Sequence, residues 1–132
     1  MIPAFSPALF MPTVAAAAYS GPGDVVSGAL GWWGLRAYTS AAIGTNAIRL
    51  RRSSDNAEQD FATVSGGGLD LTSINSFKGA ANLFVVKLYD QSGNARDMAQ
   101  ATAANQPTFT LSGLGSLPIM GFSGSQWLSA TT

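Results

Sequence analysis

The chain has 132 residues, enough for one domain with a genuine core, since 46% of them are apolar. Only 11% are charged, less than half of the roughly 25% usual in soluble domains, so much of the surface is expected to be covered by other protein. Seven basic and seven acidic residues cancel, no histidine is present and no cysteine is present. These counts exclude a positive field for nucleic acid, every Ser-His-Asp or Cys-His catalytic arrangement, disulfides and thiolate metal sites.

Residues 1–18 (MIPAFSPALFMPTVAAAA) resemble a signal peptide only superficially. They lack a basic leading region, and Pro3, Pro7 and Pro12 interrupt the apolar run. The prolines and the short length also argue against a membrane span. The expectation is an extended arm whose Phe5, Leu9, Phe10, Met11 and Val14 contact a partner subunit or fold back onto the domain. The turn cluster YSGPGD (residues 19–24) closes this arm, giving a division into 1–24 and a body over 25–132.

From Val25 to Tyr38 apolar residues recur at spacings of three and four, which predicts a short helix weakened by Gly28, Gly31 and Gly34. Trp32 and Trp33 fall here. With Trp127 they are candidate interface or glycan-stacking aromatics. Residues 47–52 (AIRLRR) alternate, with Ile48 and Leu50 on one face and Arg49 and Arg51 on the other, as a half-buried strand does. The stretch SSDNAEQD reads as a polar turn that regains order at Phe61. Residues 69–79 predict one or two helical turns, with Thr72 or Ser73 as N-cap, Ile74 and Phe77 inward and Gly79 as the stop.

Residues 82–89 (NLFVVKLY) are the strongest strand, apolar enough to be central and buried on both faces. A tight loop follows over DQSGNARD (90–97), with Asp90 expected to cap it through backbone N–H groups. Short strands are predicted at 108–111, 118–122 and 126–128. Many short strands punctuated by glycine predict a mainly β fold, a sandwich or jelly roll with one or two short helices and an extended N-terminal arm. The last strand candidate lies so near Thr132 that the sheet is expected to be incomplete or finished by another chain.

Arg49, Arg51 and Arg52 are followed at once by Asp55, Glu58 and Asp60, which reads as a local charge network with Asp55 paired to Arg49 or Arg51. Arginine pairing lowers a carboxylate pKa and makes a poor general acid, so catalysis by two carboxylates is not expected. The 90–97 loop lacks the acidic density of a calcium loop, and Gly66–Gly68 lacks the lysine of a phosphate cradle. No metal or cofactor is expected.

The ordered series IRLRRSSDN (48–56), AEQDF (57–61), LYDQSGN (88–94) and QATAANQP (100–107) resembles a segment of many phage and prophage structural proteins. It is also similar to the start of the catalytic domain of B-type α-L-arabinofuranosidases. Both resemblances imply a concanavalin-A-like β-sandwich. In the arabinofuranosidases the catalytic carboxylates and a sugar-contacting cysteine pair lie beyond the matching segment, so no residue here inherits them. The resemblance therefore implies a virion structural protein, an assembly or anchoring module of a tail or head appendage. Its expected partners are other virion proteins and copies of itself, with no nucleic acid and no membrane. The alternative is a module that binds host-surface glycan. A hydrolase is the least favoured reading.

Overall fold

A computed structural model describes residues 17–130. The fold is mainly antiparallel β with two short helices, as the strand pattern predicts. In chain order the elements are α1 (Pro22–Val25), β1 (Asn46–Arg52), β2 (Glu58–Ala62), α2 (Leu71–Lys78), β3 (Leu83–Leu88), β4 (Met98–Ala99), β5 (Thr108–Leu114), β6 (Leu117–Gly121) and β7 (Ser129–Ala130). Strands run β2-β1-β3-β4-β7, and β5 branches from β3 with β6 beside it.

β1 forms because its β-branched and long apolar side chains alternate with polar ones. Ile48 and Leu50 are fully buried between neighbours on both sides, Ile48 pairing Phe61 of β2 and Leu88 of β3. β3 is central, as expected, but it is deeply buried on one face only. Leu83, Val85 and Leu88 join the core, while Phe84, Val86 and Lys87 are half-buried. The irregular spacing of the buried set comes from a bulge. Arg49 pairs Lys87 and Leu50 pairs Val85, leaving Val86 as the extra residue.

β4 and β5 continue one antiparallel run along β3. Leu88 pairs Met98, Lys87 pairs Ala99, and Gln100 N–H bonds Val86 O at 2.8 Å. The run resumes when Val85 N–H bonds Pro107 O at 2.8 Å, and continues through Phe84 with Thr108 and Leu83 with Phe109. Residues 101–106 are looped out between the two halves, at the place where β3 is bulged.

The core lies on the face covered by α2 and the segments around Trp33–Leu35 and Leu69–Leu71. It joins Ile48, Leu50, Phe61, Leu69, Ile74, Leu83, Val85, Leu88 and Phe109. α2 buries Ile74 completely and rests Phe77 on Phe61, with ring centroids 5.5 Å apart. Its N-cap is Asp70, one residue before the helix, whose carboxylate accepts from Ser73 N–H at 3.0 Å. Thr72 and Ser73 lie inside the helix. Gly79 ends it at φ 54°, ψ −126°, a conformation that a side chain resists. Gly79→Ala should cost about 1–2 kcal/mol in urea denaturation; an unchanged midpoint would show that the stop is not conformationally fixed.

The expected helix over 25–38 does not form. Helix is confined to Pro22–Val25, because three glycines disfavour it and the backbone after residue 30 finds better partners elsewhere. SSDNAEQD is not wholly a turn either: Glu58–Ala62 is β2. The strand expected at 126–128 appears instead as the short β7 at Ser129–Ala130. Residues 19–24 pack on the body. Tyr19 Oη donates to Ala37 O at 2.6 Å, and Asp24 accepts from Gly21 and Ser40 N–H at 2.8 and 2.6 Å. Phe5, Leu9, Phe10, Met11 and Val14 lie outside the described residues.

Candidate functional site

Every acidic side chain of the protein is tied into the fold. Arg49 on β1 reaches across to β2 and holds Glu58 at 3.0 Å and Asp60 at 3.5 Å. Tyr89 Oη donates to the same Asp60 at 2.7 Å. Lys87 pairs Asp97 at 3.3 Å, and Asp97 also accepts from Asp90 N–H at 3.0 Å. Asp55 does not meet Arg49 or Arg51. It forms a two-pronged pair with Arg52 at 2.8 and 2.7 Å, because alternation turns Arg52 to the other face and the tight β1–β2 turn brings residue 55 back under it. That pair and the Ala57 N–H bond hold the Asp55 carboxyl far below the usual carboxylate range.

Arg51 departs further from expectation. The residue is 9% exposed and, among the described residues, forms no ion pair with a carboxylate. Nε donates to Gln106 Oε1 at 2.7 Å, Nη1 to Asn56 Oδ1 at 2.8 Å, and the guanidinium lies 4.8 Å from the Phe84 ring centroid. Gln106 is 2% exposed and passes the connection on, its Nε2 donating to Gln100 O at 2.9 Å. Gln100 closes the system. Its Oε1 accepts from Thr102 N–H at 2.9 Å and its Nε2 donates to Trp127 O at 3.3 Å. This buried relay staples the looped-out residues 101–106 and fixes Trp127 beside them. Sequence reading missed it, although two glutamines bracketing a run of small residues in QATAANQ were the available signal.

Asp90 caps its loop as expected and does more. Oδ1 accepts from Ser92 N–H and from Trp32 N–H, both at 2.9 Å, and Oδ2 from Arg96 N–H at 3.1 Å. Burial pushes this carboxyl up, but the hydrogen bonds from Ser92, Trp32 and Arg96 outweigh it and hold the pKa at about 2. Both oxygens are thus engaged by backbone N–H groups.

The three tryptophans have different fates. Trp32 tilts against Tyr38 with centroids 5.4 Å apart and spends its indole N–H on Arg36 O. Trp33 packs on the core and donates to Arg96 O at 2.6 Å. Both are half-buried. Trp127, at 48% exposure, is the one of the three that is exposed.

Among the described residues the exposed large apolar side chains are Val25 (78%), Val26 (71%), Leu30, Val64, Leu114, Leu117 and Phe122, besides Trp127. Val25 and Val26 rim a cleft of about 480 Å³ with Pro22, Ala29, Trp32 and Tyr38. A larger cleft of about 570 Å³ lies between α2 and β5, lined by Asn75, Lys78, Asn82, Phe84 and Thr110 among others. Neither brings two carboxylates together. Glycoside hydrolysis needs one carboxyl held protonated near neutral pH, whereas Asp24, Asp55, Asp70 and Asp90 are all shifted downward. Glu58 and Asp60 share one guanidinium.

No protein-family model matches the chain, and no curated protein matches it significantly. Among solved structures it is similar to an arabinofuranosidase complexed with arabinofuranosyl-α-1,2-xylobiose, at 23% identity over 73% of this chain, with a TM-score of 0.54. It is equally similar to a mutant GH54 α-L-arabinofuranosidase soaked with 4-nitrophenyl α-L-arabinofuranoside, at 23% identity over 73% of the chain and a TM-score of 0.55. The chain spans about a quarter (24%) of the length of each. The likeness is one of fold: this is the architecture of the β-sandwich domains of those enzymes.

Proposed function

We propose that the chain is a non-catalytic contact module that joins copies of itself and other proteins in a bacteriophage virion appendage. The observation that carries this reading is the exposed apolar set, above all the adjacent Val25 and Val26 at 78% and 71% exposure on the rim of an apolar cleft. A chain with so few charges has little else to keep such surface from associating. The virion setting rests on the IRLRRSSDN and LYDQSGN pair. The tying-up of its carboxylates supports a role other than hydrolysis.

Sedimentation equilibrium of the full chain tests this. Self-association is expected, weakened about tenfold or more by the double change Val25→Ser and Val26→Ser, since each valine loses about 1.5 kcal/mol of burial. Both residues are exposed, so the fold should survive. A chain that stays monomeric at every concentration overturns the reading.

A further inference from the structure

We propose that the open edge of β6 pairs antiparallel with β6 of a second copy of this chain, two-fold about Met120, so that two sheets run on as one. This rests on the contact-module reading and names a surface apart from Val25 and Val26.

The register fixes which backbone groups this edge offers. Val85 N–H bonds Pro107 O at 2.8 Å, and the pairing continues through Phe84 with Thr108 and Leu83 with Phe109. Hydrogen-bonded and non-bonded pairs alternate along an antiparallel ladder. Pro107 and Phe109 therefore turn their backbone groups to β3, while Thr108 and Thr110 turn theirs to β6. The partners of Thr108 and Thr110 are Gly121 and Ile119, so these two face β5. Met120 opposes Phe109 as a non-bonded pair. Its N–H and C=O point away from β5, as do the C=O of Pro118 and the backbone groups of Phe122. Among the described residues β6 pairs with β5 alone, and no loop backbone group bonds Met120.

Charge and shortness are how edge strands avoid one another. β2 carries Glu58 and Asp60, and β7 has only two residues. β6 has neither guard, since no charged residue occurs from 98 to 132. Its one irregularity is Pro118, which offers no N–H, and that gap selects the register. With the two-fold at Met120, the Met120 groups of the two copies bond each other. Each Phe122 N–H then meets Pro118 C=O of the second copy, and the missing proline donor leaves only Phe122 C=O unmet, at the solvated strand end. The same register lays Phe122, 54% exposed, across Pro118 of the second copy. Identical strands satisfy this pattern from both sides, as a two-fold interface requires. A charged foreign strand would find no counter-charge along this edge.

Isotope-filtered NOE spectra of the full chain, labelled and unlabelled copies mixed, test this. An inter-chain contact between the Hα protons of Ile119 and Gly121 is expected, because the two oppose each other as the non-bonded pair beside Met120. Exchange of the Met120 amide should slow about tenfold or more as concentration rises through the association midpoint. Met120→Pro removes an N–H that β5 does not use and should abolish the contact. Phe122→Asp, at an exposed position where the fold should survive, should weaken the pairing about tenfold or more. The contact should persist in the Val25→Ser, Val26→Ser chain. A chain that self-associates without the Ile119–Gly121 contact overturns this inference and leaves the contact-module reading in place, whereas a monomer at every concentration overturns both. Slow Met120 exchange that is unchanged on dilution also overturns it, because the edge would then be covered within one chain.

Discussion

Gln106→Ala is expected to lower folding stability by about 3 kcal/mol, measured as a shift of the urea midpoint at constant slope. The side chain is 2% exposed and joins Arg51 to the backbone of Gln100. Its loss strips a buried guanidinium of one of its two hydrogen-bond acceptors, with no carboxylate to take over. Stranding a buried charged donor is among the largest effects a single substitution has. Gln106→Leu should be nearly as harmful, because volume is restored but the acceptor is not. Adding Arg51→Met to Gln106→Leu should recover much of the loss, since removing both partners leaves nothing charged behind. A cost below about 1 kcal/mol for Gln106→Ala, or no recovery in the double variant, would show that the relay does not hold the fold.

Asp90→Ala should cost about 2–3 kcal/mol, because three backbone N–H groups on two segments lose a charged acceptor together. The damage should be local first. Trp32 is released from the loop, so tryptophan fluorescence should change before global unfolding. Asp90→Asn keeps one oxygen acceptor and should fall between. The pH dependence has a definite sign. The folded carboxyl titrates at about 2, below its ordinary 3.8. Its contribution is therefore complete above about pH 4 and is lost as pH falls through 2. Asp24, Asp55 and Asp70 are shifted the same way, chiefly by backbone N–H and side-chain hydrogen bonds. The melting temperature should drop between pH 4 and pH 2, and less steeply in Asp90→Asn. Equal steepness in both proteins would remove Asp90 from this account.

What the sequence disclosed were the elements whose stability is local or simply patterned. β1, β3 and β5 announce themselves by alternation or by an unbroken apolar run, and α2 by Ile74, Phe77 and the glycine that stops it. The Asp90 cap was readable because its first partner, Ser92, is two residues away. What stayed hidden depends on distant residues. Arg51 reads as a solvent-facing arginine among other charges. Only the return of residue 106, fifty-five positions later, covers it and supplies a neutral acceptor. Trp32 and Trp33 mimic a helix face, yet their backbone and indole groups are claimed by Asp90 and Arg96. β2 was obscured because Glu58 and Asp60 are poor strand formers. They are tolerated on an edge strand because Arg49 spans both.

The tip of the 101–106 excursion, residues 102–105, gives the molecule a place where change costs little. Strand pairing is in step on either side of it, and the two glutamines that clamp its ends do so from outside its tip. Residues 102–105 therefore contribute little to folding and are held in one pose beside the half-exposed Trp127. Evolution can rewrite such a tip, or lengthen it, at a penalty that grows only with the logarithm of its size. Sequence diversity can accumulate there while the sheet beneath stays constant.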